Sequence, residues 1–167
     1  MRYKAAWLTM MMVPVLALAM GDGKDESFFK NAAEGGIAEV EAGKMAQEKG
    51  AGQAVKDFGA MMVKDHSAAN EKLQTLAASQ GIKLPSSPSL MQQASVKELK
   101  MKSGDSFDKS YIKDQIKAHK DTVALFQKEI ASGQNPQAQQ FASATLPTIQ
   151  AHLNKINQIA GAAGVSD

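Results

Sequence analysis

"VKDFGAMMVKDHSAANEKLQTL", residues 55–76, decides how the rest of the chain is read. Its apolar positions Val55, Phe58, Met62, His66, Ala69, Leu73 and Leu76 are separated by steps of 3, 4, 4, 3, 4 and 3. That alternation places one stripe along one face of an α-helix, the pattern of a helix packed into a bundle. One member of the stripe is a histidine with an aspartate beside it, His66 after Asp65. The stretch therefore predicts a core-facing helix and marks one core position that carries chemistry.

The same pattern extends outward in both directions. The chain is rich in Ala, Gln, Lys and Met and poor in β-branched and aromatic residues, so it reads as helix almost throughout. Punctuation divides it into four long pieces. The first starts near Asp25–Ser27 and stops at Gly50; the second runs from Gln53 to Gly81, with Pro85 and Pro88 beyond. The third starts at Asp105 or Ser106 and ends at Gly133; the fourth opens on Asn135-Pro136 and ends near Gly161. The third carries the seam Ile112, Ile116, His119, Val123, Phe126, Ile130, and the fourth the seam Ala142, Leu146, Ile149, Leu153, Ile156, Ala160. The first pairs a stripe of small residues (Ala32, Gly36, Gly43, Ala46), broken by Glu39, with an apolar stripe of Phe29, Ala33, Ile37 and Val40. Short links make helices 1–2 and 3–4 antiparallel hairpins. Residues 81–104 are a long link, enough to cross the bundle. The expected fold is all-α: a ferritin-like four-helix bundle with a long connection between helices 2 and 3. An up-down-up-down bundle with a loose loop is the alternative. "SVKELKMKS", residues 95–103, leaves room for a short extra helix, and Pro147 predicts a bend in helix 4.

The amino-terminal "MRYKAAWLTMMMVPVLALAMGDG" reads as targeting, not fold. Arg2 and Lys4 precede an apolar run from Ala5 to Met20, 16 residues and shorter than a spanning helix needs. Ala17-Leu18-Ala19 suits signal peptidase, so residues 1–19 are expected to be a signal cut after Ala19, with residues 20–167 a single domain. The cut removes two of the 19 basic residues, leaving 17 against 17 acidic ones. A near-neutral mature chain argues against nucleic acid and against strong attraction to anionic lipid. The sequence has no cysteine, which excludes disulfides and a lipidated cysteine. Stability must come from burial, for which about 150 residues suffice. No transmembrane segment is expected in the mature chain, and the expected compartment is the periplasm.

The three histidines, His66, His119 and His152, stand on helices 2, 3 and 4. Counted from the hairpin turns, His66 and His119 lie 15 residues away and His152 lies 18, so all three fall near mid-bundle. Glu34 and Glu39 straddle the matching height on helix 1. Imidazoles and a carboxylate converging from different helices are what a metal site in a bundle requires. Glu39, His66, His119 and His152 are the candidate ligands for a divalent metal such as zinc. Glu34 is a possible further ligand, and Asp65 would orient an imidazole by accepting its other N–H. A structural polar layer, in which these groups satisfy one another and pin the register, is the other reading. No Glu-x-x-His pair occurs, which argues against a carboxylate-bridged di-iron oxidase. No phosphate loop or nucleophile elbow is present, and Met45, Met61 and Met62 at helical spacing read as core filler before copper ligands.

The stretches "FFKNAAEGGIAEVEAGKMA", "VKDFGAMMVKDHSAANEKLQTLAASQGIKLP", "FDKSYIKDQIKAHKDTVALF" and "FASATLPTIQAHL" together resemble domain-of-unknown-function family 4142, exported bacterial proteins often labelled as outer-membrane proteins. The resemblance covers about Ser27 to Gly161. It implies a ferritin-like bundle exported by Gram-negative bacteria, and that Glu39, Asp65, His66, His119, Pro147 and His152 fall on recurring motif positions. It implies no established activity. A water-soluble helical bundle does not span an outer membrane as a barrel does, so the periplasm fits better. The expected function is a non-catalytic envelope or stress-related binding protein. A metal-dependent enzyme using the same residues and a protein–protein interaction module are the alternatives.

Overall fold

The computed structural model describes residues 23–165. The expected signal peptide, residues 1–19, lies outside the described residues. Five α-helices account for the fold: α1 (Gly23–Lys49), α2 (Gln53–Ser79), α3 (Leu90–Lys100), α4 (Gly104–Ser132) and α5 (Pro136–Ala163). No strand occurs among the described residues. None of these helices is long and apolar enough to cross a membrane.

Local chemistry sets the boundaries. The Asn135 side chain accepts from the backbone N–H groups of Gln137 and Ala138, and Pro136 takes the first helical position of α5. Gly164 closes α5 at φ 63°, a left-handed conformation that favours glycine. α5 runs through Pro147, which stands on its exposed face. The short α3 starts five residues earlier than "SVKELKMKS" suggests. Ser89 and Gln92 form a capping box, each side chain serving the other's backbone N–H. Val96 and Leu99 anchor α3 in the core.

Two turns fix the direction of each helix. The backbone N–H groups of Ala51 and Gly52 donate to the two carboxylate oxygens of Asp108, tying the α1–α2 turn to the start of α4. At the other end the Gln134 N–H donates to Asp25 Oδ1, tying the α4–α5 turn to the start of α1. α4 is therefore antiparallel to α1. α1 packs on α2 and α4, α5 packs on α4 and α2, and α3 lies against α1 and α4. The connection that leaves α2 thus travels the length of the molecule before α4 begins. α1 and α2 meet closely through glycine. A Cβ on Gly59 would fall 2.6 Å from the Gly43 carbonyl, and one on Gly43 would fall 2.7 Å from the Gly59 carbonyl. This explains the small-residue stripe of the first helix.

The core is not continuous. One apolar cluster gathers Phe58, Met62, Phe107, Tyr111, Ile112 and Ile156 toward the α1–α2 turn. Another gathers Phe28, Phe29, Leu73, Phe126, Ala142 and Ile149 toward the α4–α5 turn. Between them lie the buried polar side chains of Glu39, His66, Gln115, His119 and His152.

Candidate metal centre

Three helices deliver one imidazole each: His66 from α2, His119 from α4 and His152 from α5, exposed by only 9%, 1% and 3%. Their ring centroids form a near-equilateral triangle, with separations of 5.8 Å (His66–His119), 5.5 Å (His66–His152) and 5.5 Å (His119–His152). The offset of three residues counted from the turn does not separate His119 from His152. Helical side chains tilt toward the N-terminus. His119 therefore leans away from the α4–α5 turn and His152 leans toward it, which closes the gap.

Hydrogen bonds identify the free nitrogens. His119 Nδ1 lies 2.9 Å from the Gln115 carbonyl, which can only accept, so Nδ1 carries the proton and Nε2 keeps its lone pair. His152 Nε2 lies 3.0 Å from Asp65 Oδ2, so its Nδ1 keeps the lone pair. Those two nitrogens and His66 Nε2 are buried with no hydrogen-bond partner. One nitrogen from each ring lies within 4.8 Å of the other two.

The electrostatics favour the neutral form of His66 and His152. Burial, then the neighbouring His119 and His152, push His66 down to about 3. Burial also lowers His152, against the opposing hydrogen bond from Asp65. Neutral imidazoles are the form that ligates a metal.

The other candidates are placed differently. Asp65 is the acceptor for His152. Glu39 is buried in the same layer, but its Oε2 accepts from Gln115 Nε2 at 2.6 Å and it is not one of the three converging groups. Burial raises the Glu39 carboxyl above its ordinary value, with His119 and Gln115 opposing. Glu34 is half-buried on α1 and belongs neither to the converging group nor to the adjoining cavity.

Sequence reasoning missed Gln115, which joins Glu39 to His119 by donating from its side chain to one and accepting on its backbone from the other. Its signal was position: four residues before His119, it shares that helix face. It also missed a buried acidic pair, Asp25 and Glu129, exposed by 1% and 5%. Glu129 lies three residues past Phe126 and so on the core face of α4.

The surroundings of the triangle are unequal. Phe58 presses edgewise on His119 and His152, at centroid distances of 6.1 and 6.4 Å. A cavity of about 40 Å³ also meets the layer, with His66, His152, Glu39 and Asp65 in its walls and Leu73, Phe126 and Ile149 as apolar lining.

The family model described as "Domain of unknown function (DUF4142)" matches residues 12–159. Two solved structures resemble the fold. The crystal structure of "putative secreted protein DUF305 from Streptomyces coelicolor" aligns with a TM-score of 0.73 at 10% identity, covering 86% of this chain and 94% of that one. That of a DUF305 fragment from Deinococcus radiodurans aligns with a TM-score of 0.73 at 12% identity, covering 84% and 97%. At such identities the likeness concerns the fold alone. No curated protein matches the sequence.

Proposed function

The chain belongs to the DUF4142 family, and from that footing we propose that it is an exported, periplasmic metal-binding protein of the bacterial envelope. In this reading it is a ferritin-like bundle whose three-histidine layer holds one divalent transition metal, zinc by its donor set. One observation carries the reading: three imidazoles from three different helices bring one nitrogen each within 4.8 Å of the other two, and each ring has a buried nitrogen without a partner. Leaving a buried polar group unpaired costs about 1–3 kcal/mol, so a layer with three such atoms needs an occupant. The outer contacts support a metal. Ligating histidines characteristically give their second N–H to a carboxylate or a backbone carbonyl, as His152 does to Asp65 and His119 does to Gln115. Zinc–nitrogen bonds of about 2.0–2.1 Å require nitrogens about 3.4 Å apart in a tetrahedron.

A trapped water is the rival occupant, and the spacing suits it. It would donate to His119 Nε2 and His152 Nδ1 and accept from His66 Nε2. That would make the layer a device for fixing packing.

Elemental mass spectrometry separates the two on untagged protein, prepared from periplasm without chelator. The expected result is near-stoichiometric metal, absent from both His66→Ala and His119→Ala. Metal-free parent protein that also fails to take up zinc refutes the metal reading and leaves the water layer.

A further inference from the structure

We propose that the folded bundle takes up and releases its metal through the cavity beside the histidine layer, which makes the layer an exchangeable site for a free divalent cation and not a staple locked in at folding. The proposal rests on the metal reading above and adds how the ion arrives. A metal site needs an entry path as well as ligands. On one side the way is closed. Phe58, part of the apolar cluster toward the α1–α2 turn, covers His119 and His152 with a ring edge. The cavity opens another side, with His66 and His152 in its wall.

The wall leads from solvent to the imidazoles. Thr148 is exposed and lines the cavity one helical turn before His152. His152 leans toward it, because helical side chains tilt toward the N-terminus. Asp65 spans the same step: its side chain is 29% exposed, and its Oδ2 accepts from His152 Nε2 at 3.0 Å. One water needs roughly 10–15 Å³, so the volume of about 40 Å³ has room for an ion with part of its hydration shell. Glycine keeps the wall open. A Cβ on Gly36 would collide with the Asn70 amide that lines it.

The lining fits a cation. Asp65 and Glu39 are its acidic members, Asn70, Thr145 and Thr148 add amide and hydroxyl oxygens, and among the described residues no lysine or arginine lines it. Oxygen donors of this kind stand in for the waters a divalent cation sheds before imidazole nitrogens take over.

Stopped-flow mixing of cobalt(II) with the folded, metal-free mature chain tests this. The visible bands of cobalt on imidazole report uptake, and their decay into excess chelator reports release. In the parent chain the uptake rate is expected to rise with cobalt concentration. Thr148→Trp, at an exposed position, is expected to slow uptake and release alike, by about tenfold, and to leave the dissociation constant unchanged, since a plug at the mouth raises one barrier for both directions. Gln150→Trp, exposed on α5 and outside the wall, is expected to keep the parent's rates. Parent uptake that stays flat with cobalt concentration and quickens in mild urea means entry by unfolding, which overturns the proposal while the metal reading stands. A Thr148→Trp chain with the parent's rates overturns it too. Absence of bands in the parent, with zinc also unbound, overturns both.

Discussion

Replacing Glu129 with glutamine is expected to remove a pH-dependent weakness at the α4–α5 end of the bundle. Asp25 and Glu129 are buried together, and Asp25 Oδ1 is already occupied by the Gln134 N–H at 2.9 Å. Asp25 Oδ2 and Glu129 Oε1 have no other partner, so a protonated Glu129 is the form that can donate to Asp25. Burial, then the side-chain hydrogen bond and the charge of Asp25, push Glu129 from 4.5 up to about 7. The folded chain thus holds this proton more tightly than the unfolded chain. The contribution to stability is fully present below about pH 4.5 and is lost as pH rises through about 7. A rise of that size corresponds to at most about 3 kcal/mol. In Glu129→Gln the amide stays neutral and still donates to Asp25. The variant should match the parent near pH ~4.5 and exceed it by up to about 3 kcal/mol near pH ~8. Urea unfolding followed by far-ultraviolet circular dichroism at both pH values measures this. The difference between variant and parent cancels the titration of Glu39 and the histidines. A difference that is flat with pH, or a variant weaker at the alkaline end, would refute the raised Glu129 carboxyl.

Gly59→Ala should cost about 1–3 kcal/mol in the same assay, because its Cβ would meet the Gly43 carbonyl at 2.6 Å and Ala46 Cβ at 2.7 Å. An unchanged midpoint would mean that α1 and α2 part without strain. Asp65→Asn should weaken zinc binding about 10–100-fold in competition with a chromophoric chelator, since His152 loses its carboxylate acceptor; unchanged affinity would exclude that outer contact. Asn135→Ala removes the acceptor for the Gln137 and Ala138 N–H groups and should cost about 1 kcal/mol. A thermal midpoint equal to the parent's would show that the α5 cap is dispensable.

Helix existence was legible along the chain because each long helix carries its own stripe and its own punctuation. Gly50, Gly81, Gly133 and Asn135-Pro136 mark ends that lie within about two residues of those observed, since capping and backbone freedom are local. The all-α class followed from that. The mid-bundle height of the three histidines also followed, because short hairpin turns make residue counting a measure of height. The α3 start was legible in principle from the Ser89–Gln92 spacing, but the prolines before it masked it as linker.

The three-dimensional packing decided what counting does not reach. Which stripes face each other depends on Asp108 clamping one turn and Asp25 the other, contacts across 57 and 109 residues. Glu39 stood at the matching height on helix 1; that it accepts from Gln115 and falls outside the converging group depends on side-chain rotation about the helix axis, which counting does not give. Burial of the Asp25–Glu129 pair likewise depends on how closely two distant segments approach. Periodicity, caps and height are properties of one segment and are written in its residues. The free nitrogens of the histidine layer, its partners and its cavity arise only where four helices meet.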